Sequence, residues 1–192
     1  MPHIPPITKA LLLICTAVFC LSLLAPLSLW FALWPLGSGQ FMPWQPFTFA
    51  FLHADMLALF FNALALWMFG GELEMFWGQR RYLQYLAACL LATALATIFL
   101  GLVVPYVGPV RGMSGALFGL LFASARHFPD RVIMPLFPPI PMKQKHFVML
   151  FGGLELLMGL FSGDGLAHFA VLAGMGGGWL MFKYWRSQSR RR

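Results

Sequence analysis

Arg111-Gly112-Met113-Ser114-Gly115-Ala116-Leu117-Phe118-Gly119 places a serine between two glycines at the head of an apolar run that reaches Ala123 without a formal charge. Glycines at 112, 115 and 119 remove side-chain bulk, so neighbouring helices can approach the backbone closely. A hydroxyl at the first turn of such a helix also stands beside unpaired backbone N–H groups, which favour developing negative charge. The stretch therefore reads in two ways: a nucleophile held at membrane depth, or the small-residue packing common in membrane helices.

The rest of the chain supplies the membrane. Of its 192 residues, 60% are hydrophobic and 10% charged, with a mean hydropathy of +0.77, a composition of integral membrane proteins rather than soluble domains. The length suits one helical bundle forming a single membrane domain over residues 1–192. A net charge of +7 raises nucleic acid as a partner, but the basic residues are scattered between apolar runs rather than gathered on one face. They read better as topology signals and contacts with anionic lipid. Cys15, Cys20 and Cys89 all fall inside apolar segments, which argues against a disulfide framework, and no pair of ligands has zinc-like spacing.

Six helices are expected, over about 7–25, 47–70, 82–104, 114–126, 147–161 and 166–185, followed by a basic tail at 186–192. The first run is too long for a signal-peptide core and lacks a small-residue cleavage pattern. Between the first two helices, Trp30, Trp34, Trp44, Pro35, Pro43 and Pro46 suit a loop lying at the membrane interface. Glu72, Glu74, Arg80 and Arg81 read as a short charged turn, and Ser162-Gly163-Asp164-Gly165 as another. With both termini cytoplasmic, this arrangement puts every Lys and Arg except Arg111 on the inner side. His53, Ser114 and His168 then all lie near the outer face.

Several polar residues sit within or beside these spans, where lipid cannot satisfy them. Asn62 follows His53 on the same expected helix by 2.5 turns, so the two point to roughly opposite sides and only one can face Ser114. Asn62 could donate to an oxyanion or make an interhelical hydrogen bond. His53 reads as a loop-ordering residue, and Asp55 and Asp164 as helix-end carboxylates. Glu155, inside the fifth helix, requires a partner, neutralisation or a protein-facing side. His168, near the start of the last helix, suits interfacial capping or general-base duty, which needs an approach to Ser114 of about 2.6–3.2 Å.

Taken together, Phe51-Leu52-His53-Ala54-Asp55 with Phe60-Phe61-Asn62, then Gly112-Met113-Ser114-Gly115, Phe137-Pro138-Pro139-Ile140-Pro141-Met142-Lys143 and a Gly-rich last helix resemble the rhomboid family of intramembrane serine proteases, of the six-helix bacterial type. The resemblance runs from Pro5 to Trp185. It implies an all-α, six-transmembrane-helix bundle in a bacterial inner membrane, with its active site facing out. It further implies that Ser114 is the nucleophile, that Asn62 and the Ser114 backbone N–H hold the oxyanion, and that Gly112, Gly115 and His53 support the motif. The implied partners are transmembrane-segment substrates and the lipid bilayer, with no nucleic acid, metal or cofactor.

Two positions depart from the pattern. Ala58 stands where relatives of this type carry a histidine as second oxyanion donor. Val171 stands where the catalytic histidine is expected, three residues before Gly174 and seven before Gly178. His168 is the nearest substitute, one turn earlier, displaced by about 4.5 Å along the helix and about 60° around it. The expected activity is cleavage of transmembrane segments by Ser114 with His168. The competing expectation is a silent rhomboid-like protein that binds such segments uncut. A small transporter is a third reading, disfavoured by the lack of an internal repeat.

Overall fold

A computed structural model describes residues 4–103, 108–135, 139–161 and 165–189. The chain is mostly helical. In order, the helices are α1 (Pro6–Leu24), α2 (Leu27–Phe31), α3 (Gln45–Thr48), α4 (Met56–Ala65), α5 (Gly71–Trp77), α6 (Gln79–Val103), α7 (Ser114–His127), α8 (Gln144–Phe161) and α9 (Gly165–Ser189). Two-residue strands β1 (Val132–Ile133) and β2 (Met142–Lys143) pair antiparallel between α7 and α8. Among the described residues, three stretches are long and apolar enough to cross a membrane: Pro6–Leu24, Met56–Trp77 and Gln79–Val103. Expectations for residue 104 at the end of the third helix, Phe137, Pro138, Ser162 to Asp164 and Arg190 to Arg192 lie outside the described residues.

The second span differs from the expected 47–70. Asp55 adopts an extended backbone and its side chain accepts from Ala58 N at 2.8 Å, which starts α4 afresh at Met56. Residues before it form α3 and a 3-10 turn, Phe49–Phe51. His53 and Asn62 consequently do not share a helix, and a facing argument based on 3.6 residues per turn does not hold for them. At its other end the span continues through a π-helical turn, Leu66–Gly70, and α5 to Trp77. Gly78, at φ 78°, ends it.

That extension turns the expected charged turn into helix. Glu74 is almost fully buried on α5. Its carboxylate accepts from Ile7 N at 2.9 Å, Thr8 N at 2.7 Å and Thr8 Oγ1 at 2.8 Å. These are the otherwise unpaired donors of the first turn of α1, where the helix dipole also favours a negative charge. Glu72 instead pairs with Arg131.

The segment between α1 and α4 is knitted by polar contacts. Gln45, fully buried, accepts from Trp34 N at 3.1 Å, and Thr48 Oγ1 donates to Phe31 O at 2.8 Å. Leu33 and Val110 exchange backbone hydrogen bonds of 3.0 and 2.9 Å, tying this segment to the strand-like approach to the serine motif.

The core gathers Leu66, Leu73, Tyr82, Tyr85, Cys89, Met113 and Leu120. Small residues fix how α9 enters it. A Cβ at Gly174 would strike the Gly115 backbone, one at Gly177 the Ala88 carbonyl and one at Gly178 the Tyr85 hydroxyl. Helices α6, α7 and α9 therefore meet at backbone distance.

Candidate active site

Gly112 builds the approach to Ser114. Its φ of 106° lies in the left-handed region, where any side chain would be strained. Its N–H donates to Phe49 O at 3.0 Å, which fixes the loop against the 3-10 turn. A Cβ placed there would stand 3.7 Å from Ser114 Oγ, 3.8 Å from Asn62 Nδ2 and 3.8 Å from Leu52 O. The hydroxyl and the amide thus converge on one point, cleared by the missing side chain.

Ser114 is the first residue of α7, and no side chain caps that end. The backbone N–H groups of the first turn are therefore available to a negative oxygen beside the hydroxyl. Ser114 and Asn62 both line a cavity of about 450 Å³ that is mainly apolar and is also bordered by Ala58, Phe118, Phe151 and Glu155. Neither side chain makes a hydrogen bond among the described residues. The methyl group of Ala58 brings no donor to this cavity.

Depth along the bundle can be read from two contacts. Gln144 Nε2 donates to Ser124 Oγ, joining the foot of α8 to α7. At 1.5 Å per residue, Ser114 on α7 and Glu155 on α8 both lie roughly 15 to 17 Å from that bond. The Gly174–Gly115 contact sets α9 in the same frame: Val171, three residues earlier, stands about level with Ser114, and His168 one turn beyond it.

His168 does not hydrogen-bond to Ser114 among the described residues. Its Nδ1 instead stands 2.6 Å from Glu155 Oε2, with both side chains partly buried. The sequence singled out both residues without pairing them. The available signal was an acid inside an apolar helix, which by itself marks a residue in need of a partner.

His53 is deeply buried, and neither ring nitrogen has a hydrogen-bond partner among the described residues. It borders a separate cavity of about 340 Å³ together with Asp55 and Arg111. Burial pushes its pKa down from the ordinary 6.5, against the opposing pull of the Phe51 backbone and the Asp55 carboxylate. Among the described residues, no three His, Cys, Asp or Glu side chains converge to hold a metal ion.

A family model described as "Eukaryotic integral membrane protein (DUF1751)" matches residues 9–192. The rhomboid protease GlpG of Klebsiella pneumoniae subsp. pneumoniae is 31% identical over 183 residues, covering 92% of this chain and 62% of that protein. The rhomboid protease GlpG of Yersinia pestis is 27% identical over 194 residues, covering 97% of this chain and 65% of its own length. The chain thus spans less than two thirds of these relatives. Matched nearly end to end by a membrane-protein family model and by rhomboid proteases, it belongs to the rhomboid family.

Proposed function

We propose that this chain is an intramembrane serine endopeptidase that cleaves transmembrane segments of membrane-protein substrates. The observation that carries the reading is the convergence of Ser114 Oγ and Asn62 Nδ2 within 4 Å of one point beside Gly112, on a cavity of apolar lining. An apolar cavity receives an unwound helix segment, and the uncapped start of α7 receives the charge that forms on its carbonyl oxygen. The reading includes a single domain of six spans, with cytoplasmic termini and the serine side facing out of an inner membrane.

In the reaction, Ser114 Oγ attacks the scissile carbonyl carbon and its proton passes to His168. The tetrahedral oxyanion is held by the Ser114 N–H and Asn62 Nδ2. The C–N bond then breaks, the amine leaves with the proton from His168, and water hydrolyses the acyl ester by the same proton path. Val171, level with the serine, can accept no proton. Ala58 removes a donor worth roughly 10² to 10³ in rate where no water replaces it.

The test is labelling of the detergent-solubilised protein with a fluorophosphonate, in which Oγ displaces fluoride from phosphorus. Labelling of the parent, abolished by Ser114→Ala, is expected. Val171→His, which puts a base level with the serine, should raise the rate. A blank parent that Val171→His rescues would mark a silent scaffold instead. A blank in every folded sample would overturn the assignment of Ser114.

A further inference from the structure

His168 has its Cα a full turn above the residue level with Ser114, which is the chief obstacle to its acting as a base. Glu155 bears on that obstacle directly. It borders the cavity that Ser114 borders, and the two stand at the same depth on facing helices. The 2.6 Å contact from Glu155 Oε2 to His168 Nδ1 therefore anchors the imidazole to a carboxylate at the serine's depth. We propose that Glu155 is a positioning residue for the reaction: it draws His168 across the one-turn offset, fixes Nδ1 as the protonated nitrogen and leaves Nε2 to take the Ser114 proton.

The physical grounds are three. An acid within an apolar helix is costly unless paired, so its retention there asks for a partner, and His168 is that partner. A ring nitrogen that donates to a carboxylate determines the tautomer, and the other nitrogen becomes the acceptor. A carboxylate behind the base also stabilises the imidazolium that forms as the serine attacks, without itself taking the proton. Among the described residues, no Lys or Arg side chain lines the cavity to compete with His168 for Glu155. This inference rests on Ser114 as nucleophile and His168 as its proton acceptor.

The experiment is the second-order rate of fluorophosphonate labelling of the full chain in detergent. The samples are the parent, Ser114→Ala, His168→Ala, Glu155→Gln, Glu155→Asp and the Glu155→Gln/His168→Ala double variant. Protection of the buried Cys89 thiol in each sample reports folding. Glu155→Gln keeps the shape and removes the charge, and should slow labelling by about 10² to 10⁴, as loss of the orienting carboxylate does in other serine–histidine sites. His168→Ala should slow it at least as much, and the double variant should be no slower than His168→Ala alone, because the two act as a unit. Glu155→Asp, which keeps the charge, should label faster than Glu155→Gln.

The inference is overturned, with His168 left standing as the base, by a folded Glu155→Gln that labels at the parental rate. The same holds for an Asp variant as slow as Gln, or for a double variant slower than His168→Ala, since Glu155 would then act other than through the histidine. Parental labelling by His168→Ala would overturn the histidine's role and with it that of Glu155. Labelling that persists in Ser114→Ala, or is absent from the parent, would overturn the underlying reading as well.

Discussion

The two ends of the bundle treat their polar groups in opposite ways. At the end where α1 begins and α5 finishes, the buried Glu74 carboxylate accepts three hydrogen bonds from the first turn of α1, and Thr8 Oγ1 lies 3.4 Å from Tyr82 Oη. Rings close the space around it: Trp77 packs against Tyr85, His127, Phe182 and Trp185. At the end where α7 begins, both ring nitrogens of the buried His53 lack a partner among the described residues, and the part-buried Ser114 and Asn62 side chains make no hydrogen bond among them either. A folded chain normally satisfies its buried polar groups. Saturation at the other end is not complete, since among the described residues the buried Gln144 Oε1 at the foot of α8 also lacks a partner; what sets the α7 end apart is that Ser114 and Asn62 border a cavity able to receive a ligand's own polar atoms.

The largest effect is expected at the joint between the two ends. A side chain at Gly174 would collide with the backbone of Gly115, which cannot rotate away as a flexible side chain would. Gly174→Val should therefore cost about 3 kcal/mol or prevent folding outright. The check is the rate at which a thiol reagent reaches Cys89, whose sulfur packs against Gly119 at this crossing. Rapid modification of Cys89 in the variant, with slow modification in the parent, is the expected result. Parental protection would show that α7 and α9 are not in backbone contact.

Next in size is Glu74. Replacement by Ala leaves three donors at the head of α1 without a partner, and roughly 2 to 3 kcal/mol of stability should be lost. Glu74→Gln keeps one acceptor oxygen and should lose less. Denaturation in mixed micelles, followed by tryptophan fluorescence, measures both. Equal losses for Ala and Gln would show that charge at the helix start, rather than the count of acceptors, is what Glu74 supplies. Fluorophosphonate labelling of whatever remains folded should be unchanged, which would separate the two ends energetically.

What the sequence revealed follows the same division. Hydropathy placed the starts and ends of α1, α6, α7, α8 and α9 within a few residues, because long apolar runs bounded by charge leave few alternatives. Gly112 and Ser114 stood out as well, since Gly and a hydroxyl at a helix start carry a physical meaning independent of the fold, whereas Asn62 was joined to them only by the family resemblance. The second span was misjudged at both ends. Its start depended on one side-chain cap from Asp55, and its finish on Glu74 finding donors 66 residues away in sequence. The Glu155–His168 contact was hidden for the same reason: pairing across helices depends on rotation and depth, which composition does not encode.

The smallest predicted effect tests whether the open end is as unsatisfied as it looks. His53 is buried with its pKa lowered below 6.5, so the fold favours the neutral ring more than the unfolded chain does. A depressed folded value means that the folded state binds fewer protons than the unfolded chain over this range. The associated stability is thus fully present above about pH 6.5 and is lost as pH falls through the folded pKa. Thermal stability of the parent should decline on acidification from pH 7.5 toward 5. His53→Gln, which cannot titrate, should decline less, and the difference between the two isolates His53 from the exposed Asp130, whose carboxyl is held low by Lys145 and Lys143. Were the two proteins to lose stability in parallel, the His53 ring would have partners at neutral pH that offset its burial, such as water in the cavity beside Asp55 and Arg111. The contrast between the two ends would then narrow to Ser114 and Asn62, the pair on which the chemistry is proposed to rest.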